Sequence, residues 1–141
     1  MEDCLFCQIL DGSLEASLAY RDDRCAVIAD LFAANEGHLL VVPIEHVARF
    51  ADVPPEIAGH MMSVARDVVV ALQASPIRCD GFNIALSDGT CAGQEIFHSH
   101  LHVIPRFKGD GIARAFFARD PEPWPREVLE RVVEEVGSRM G

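Results

Sequence analysis

Residues 95–106 read EIFHSHLHVIPR, and His98, His100 and His102, three of the chain's six histidines, stand in it at strict two-residue spacing. In an extended strand successive side chains alternate between faces and each residue advances about 3.3 Å, so the three imidazoles point one way, neighbours about 6.6 Å apart. Ser99, Leu101 and Val103 point the other way, and two of those three are apolar. The pattern predicts a strand over 98–105, apolar residues inward and a row of titratable nitrogens outward. A single histidine on a strand is ordinarily structural, but three in register call for chemistry. Imidazole titrates near pH 6.5, so one ring can attack while another donates a proton.

Working outward, four more short runs read as strands: SLAYRD (17–22), CAVIAD (25–30), HLLVVP (38–43) and GFNIAL (81–86). They are rich in Val, Ile and Leu and bounded by Gly, Pro, Asp and Asn. The close spacing of the early runs predicts a hairpin or meander, hence a largely antiparallel sheet. Residues 54–74 instead carry Ile57, Met61, Val64, Val68 and Leu72 at helical period after a Pro54-Pro55 start. A second helix is predicted after Pro125, with Val128, Leu129, Val132, Val133 and Val136 as its apolar stripe. The fold class is therefore α+β: an antiparallel sheet of about five strands, covered mainly on one face by one long helix and a C-terminal helix. The 141 residues contain no internal repeat or linker and are read as one domain.

Half of the residues are apolar, as expected of a globular chain. No run of about 18 apolar residues is present to span a membrane, and MEDCLFCQIL lacks a positive n-region, so a cytoplasmic location is expected. There, Cys4, Cys7, Cys25, Cys79 and Cys91 are core thiols or ligands rather than a disulfide framework. The net charge of −10 argues against a nucleic-acid partner, and Lys108 is the only lysine. An anionic ligand would have to be held by imidazoles, amides and backbone N–H groups, because the global field opposes it.

Two chemistries fit three imidazoles. A catalytic zinc with three histidine ligands is one, but positions i and i+4 of a straight strand lie about 13 Å apart, too far for a single ion to reach. Covalent catalysis by the middle histidine fits better. Cys4-x-x-Cys7 is open on spacing alone to zinc, a redox pair or two core thiols.

HSHLHVI closely resembles the signature of the histidine triad family, His-φ-His-φ-His-φ-φ with φ apolar, and the flanking AGQ (92–94) and IPR (104–106) resemble it too. CLFCQILDGSLEA, RDDRCAVIAD, GHLLVVPIEHV and GFNIALSDG look like further blocks of this family, which places its motifs over about 4–108 and leaves 110–141 as a divergent tail. The resemblance implies a homodimeric nucleotide hydrolase or transferase that acts on the α-phosphate linkage of a purine ribonucleotide. The bond cleaved would belong to a phosphoramidate, a nucleotide ester or a dinucleoside polyphosphate. His100 would form a nucleotidyl-histidine intermediate, and His102 would bind the phosphate and help protonate the leaving group. His98 would complete the catalytic triad with His100 and His102, His38 would support it, and Gln94 would lie at the phosphate. Asp30 would accept from the ribose hydroxyls, with Ile28 and Leu31 against the base. By the same resemblance Cys4, Cys7, His46 and His98 would hold a structural zinc, with no organic cofactor. The alternative reading is a nucleotide- or zinc-binding regulatory protein with little catalytic role.

Three positions depart from the family pattern. Ser99 replaces an apolar residue, Ser87 stands where many members carry Asn near the phosphate, and Glu95 follows Gly-Gln where Ser or Thr is common. An ionised carboxylate only accepts hydrogen bonds, so Glu95 implies a preference for a cationic or amine leaving group. Were residue 95 already on the strand it would face away from the histidines; only a loop ahead of Phe97 turns it in.

Overall fold

The computed structural model describes residues 3–112 and 122–140. In chain order they form α1 (Leu5–Leu10), β1 (Leu18–Arg21), β2 (Cys25–Ala29), β3 (Leu39–Pro43), α2 (Pro55–Ala74), β4 (Gly81–Ala85), β5 (Leu101–Arg106) and α3 (Arg126–Gly137). The five strands make one antiparallel sheet in the order β1-β2-β3-β5-β4. The predicted meander is β1-β2-β3, and β5 enters between β3 and β4. The tail expected from about residue 110 falls partly outside the described residues, since 113–121 and 141 are not among them.

Register decides what each face carries. Val27, Val41 and Leu101 stand in one row across β2, β3 and β5, whereas Ile28, Leu40, His102 and Ala85 stand in the next. The first row packs under α2 and α3 with Met61, Val64, Val68, Leu72, Leu129, Val132 and Val136. The second meets Cys4, Phe6 and Leu10, brought by α1 and its N-cap, in a smaller core completed by Ala26 of β2 and Val42 of β3. Every residue of β2 and β3 is buried, so their apolar runs are continuous instead of alternating.

This corrects two expectations. The sheet is covered on both faces, because a six-residue helix too short to show a period lies over the second. The histidine row is not outward: His98, His100 and His102 are 0, 5 and 9% exposed. Nor does the whole row lie on the strand, which begins only at Leu101.

Two contacts place the C-terminal helix. A Cβ on Gly137 would lie 2.5 Å from the Ala19 carbonyl oxygen, so the bare glycine lets α3 approach β1. Trp124 donates its backbone N–H to the Leu31 carbonyl and its indole N–H to that of Ala33, each at 2.9 Å. His60 on α2 has a structural part, its Nε2 lying 2.6 Å from Asp22 in the β1–β2 turn. The Tyr20 hydroxyl also donates to Asp22, and with that carboxylate beside it the phenol is pushed up to about 12. No helix among the described residues is long and apolar enough to cross a membrane.

Candidate active site and metal cluster

Five of the six histidines fall into two clusters that meet at residues 98–102. A carbonyl oxygen only accepts, so each ring nitrogen facing one carries its proton. His100 Nδ1 donates to the His98 carbonyl at 2.8 Å, which leaves Nε2 with the ring's lone pair. The Ala34 backbone N–H donates to His38 Nδ1 at 2.9 Å, so the proton of His38 is on Nε2. That nitrogen lies 2.9 Å from His102 Nδ1 and 3.5 Å from Asp30 Oδ2. Donation from His38 to His102 puts the proton of His102 on Nε2. The result is a ring lone pair and a ring N–H side by side, with the centroids of His100 and His102 5.0 Å apart.

His100 lines a cavity of about 580 Å³ together with Phe6, Ile28, Asp30, Leu31, Phe32 and Glu95. Its floor is the Ile28–Leu40 row of the sheet and one wall is α1. Phe6 stands edge-on to both His98 and His100, with centroids at 5.7 and 5.0 Å, and so holds the two rings apart. Asp30 is buried just beyond the end of β2, where its Oδ1 accepts from the Phe32 backbone N–H at 3.0 Å. Glu95 precedes the strand in a loop and lines the cavity, so the alternation that would have turned it away does not apply.

The second cluster is built of sulfur and nitrogen. His98 Nε2 donates to the Pro43 carbonyl at 2.7 Å, which directs the lone pair of Nδ1 toward Cys4 Sγ at 3.4 Å and Cys7 Sγ at 3.7 Å. His46 Nδ1 lies 3.4 Å from Cys7 Sγ, and all four ligand atoms are within 4.8 Å of one another. Tetrahedral zinc with ordinary Zn–N and Zn–S bonds separates its ligand atoms by about 3.6 Å, so the donor set fits that ion. Burial holds the His98 imidazole below its usual pKa. The Cys7 thiol is pushed up, by burial first and then by its hydrogen bond with Cys4.

The remaining expected site residues lie elsewhere. Gln94, expected at the phosphate, spends its amide on backbone groups of its own loop and of the segment after β3: Oε1 accepts from Gly89 N–H at 2.7 Å, and Nε2 donates to the Ala48 and Ile96 carbonyls at 2.9 and 3.1 Å. Its work is to shape the turn that delivers Glu95. Ser87 is not among the residues that line the cavity. Conversely, Phe6, Phe32 and Arg126 line it without having been singled out in the sequence. Phe6 and Arg126 arrive from elements distant in the chain, and Phe32 directly follows Leu31, with no pattern of its own to mark it.

A model of the HIT domain matches residues 11–109. The chain belongs to the HIT family. A HIT-like protein of Methanocaldococcus jannaschii is 37% identical over 108 residues, covering 77% of this chain and 82% of its own. The adenylylsulfatase HINT3 of Arabidopsis thaliana is 35% identical over 111 residues, which span 77% of this chain but only 54% of that one. Among solved structures, a Zn-bound histidine triad family protein from Mycobacterium smegmatis superposes with a TM-score of 0.84 at 34% identity, covering 99% of this chain and 94% of its own. A histidine triad nucleotide-binding protein from Sulfolobus tokodaii also gives 0.84, at 28% identity over 97% and 91% of the two chains. These likenesses bear out the HIT fold, and at the level of the family they make the chain a nucleotide hydrolase or transferase.

Proposed function

We propose that this HIT protein cleaves the α-phosphate linkage of a purine ribonucleotide through a covalent nucleotide on His100 and releases a nucleoside monophosphate. The observation that carries this reading is the tautomer of His100: with Nδ1–H held by the His98 carbonyl, Nε2 keeps its lone pair in the ring that lines the cavity. Nε2 attacks the α-phosphorus, an N–P bond forms and the bond from phosphorus to the leaving group breaks. His102 Nε2–H gives its proton to the departing atom and takes one back from the water that attacks next, its ring held by the hydrogen bond from His38 to Nδ1. Water then attacks phosphorus, the N–P bond breaks and the monophosphate leaves. Dividing one displacement into two lowers each barrier.

Asp30 would accept from the ribose hydroxyls, with Ile28 and Leu31 against the base; all three line the cavity, which supports the reading. Glu95 on the cavity wall favours an amine over a phosphate leaving group, because like charges repel. Cys4, Cys7, His46 and His98 would hold a zinc that stiffens the approach to His100 and takes no part in the displacement. The Zn-bound relative supports that reading. The adenylylsulfatase relative supports cleavage at a nucleotide phosphorus. We further propose a homodimer, for which the edge strand β4 offers unpaired backbone and Ile84, 41% exposed.

Trapping tests the chemistry. An adenosine 5′-phosphate labelled at phosphorus and carrying an amine or a pyrophosphate leaving group is mixed with enzyme and quenched in alkali. Label is expected on the peptide containing residues 98–102, absent in His100→Ala, and formed faster from the amine; Glu95→Thr should narrow that difference. Turnover with no label on His100 would favour direct attack by water. Binding with neither label nor turnover would favour a regulatory nucleotide-binding protein.

A further inference from the structure

Arg126 opens α3, in the divergent tail, yet it lines the same cavity as His100. Its guanidinium is held in place. Nε lies 3.0 Å from Glu15 Oε1, and Nη1 donates to Ser17 Oγ at 3.1 Å. Ser17 is 1% exposed and passes its own proton to Glu130 at 2.6 Å. Two residues earlier, Trp124 pins the chain to the loop that follows Asp30. Among the described residues Nη2 has no partner.

Where this group lies decides what it meets. β5 and β2 both run antiparallel to β3, so His100, which precedes β5, and Asp30, which follows β2, stand at opposite ends of the sheet. Ser17 lies at the Asp30 end of β1, and the three form a diagonal from β5 to β1. From β5 to β1 are three strand spacings, about 14 Å. A nucleotide with its phosphorus at His100 and its ribose at Asp30 therefore directs its base toward β1, where Arg126 and Glu15 wait. Glu15 is exposed, and such a surface ion pair is weak, so it leaves the guanidinium able to bind a second acceptor.

We propose that Arg126 reads the base and selects a 6-oxopurine, guanine or hypoxanthine, over adenine. A guanidinium donates two parallel hydrogen bonds and accepts none. The O6 and N7 atoms of guanine and hypoxanthine are both acceptors at the right separation, whereas adenine pairs the N7 acceptor with an N6 amino donor that repels the guanidinium. Arg126 is a specificity-determining residue, and the inference rests on the nucleotide reading of this cavity.

The experiment compares the 5′-phosphoramidates of guanosine, inosine and adenosine on the full chain, by kcat/KM and by label trapped on His100. Wild type should prefer guanosine and inosine alike over adenosine by about tenfold or more. Arg126→Met should bring the ratio near one, the change falling in KM because base binding is equal in ground and transition states. Arg126→Lys, which keeps the charge but loses the fork, should restore little of it. Because the readout is a ratio between substrates, general weakening of the fold does not move it. If guanosine is preferred strongly over inosine, the 2-amino group is being read and the O6/N7 assignment fails. A wild-type ratio near one, or a ratio unmoved by Arg126→Met, overturns the inference while label on His100 keeps the catalytic reading intact. Absence of label with every base is the separate failure of that reading.

Discussion

His98 and His100 are separated by one residue and buried to nearly the same degree, yet they stand in different clusters. Both rings are oriented by a main-chain carbonyl, but through opposite nitrogens: His98 donates from Nε2 to Pro43, and His100 from Nδ1 to its own neighbour. The lone pair that remains faces two sulfurs in one case and belongs to the cavity-lining ring in the other. The sulfur–nitrogen cluster gathers two thiols and two imidazoles whose ligand atoms lie within 4.8 Å of one another. The other cluster passes hydrogen bonds along a line from the Ala34 amide through His38 to His102. Residue type does not assign the role; the group that takes the ring's proton does.

If the two clusters are functionally separate, breaking each should have its own signature. The largest effect is expected from His102→Ala, which removes the acid: kcat should fall by about a hundredfold or more with an amine leaving group. With a leaving group that departs unprotonated, the loss should be much smaller, and equal losses for both would remove the acid role. Next is Cys4→Ser, which deletes a thiolate from the metal cluster. Metal content should drop and thermal stability fall by about 3 kcal/mol, the linkage expected of a tightly held ion. The fraction that remains folded should still take label at His100; a folded, unlabelled variant would join the two clusters into one. The smallest effect concerns Ser99, between the two rings and on the opposite face, whose buried hydroxyl has no hydrogen-bond partner among the described residues. Ser99→Ala should raise the urea midpoint with an unchanged slope, worth about 1 kcal/mol. A lowered midpoint would mean that the hydroxyl is bonded after all.

Much of this architecture was legible from the chain. The apolar runs at 25–30 and 38–43 and the helical stripes after Pro54 and Pro125 are local signals, and each became an element within a residue or two of its expected bounds. The Cys4, Cys7, His46 and His98 ligand set, drawn from family resemblance, does converge in space. What could not be read was the second core. Helix α1 has six residues, fewer than two turns, so no periodicity announces it. Without it the histidine row looked exposed. The fate of Gln94 was hidden for the same reason, since the Ala48 carbonyl that captures its amide lies 46 residues away. Arg126 was invisible as a site residue because a helix-start arginine beside an acidic stripe resembles any solvated face.

By itself the sequence determined that three imidazoles share one side of a strand-like segment, because alternation is a property of covalent backbone geometry and needs no partner. It also determined the order of the five strands, the long helix and the C-terminal helix, through hydrophobic period. Tertiary structure alone decided which nitrogen of each ring keeps its proton, which face is covered and which distant side chains close the cavity. Those depend on carbonyls, sulfurs and aromatic edges brought from tens of residues away, and a proton settles only after its acceptor has arrived.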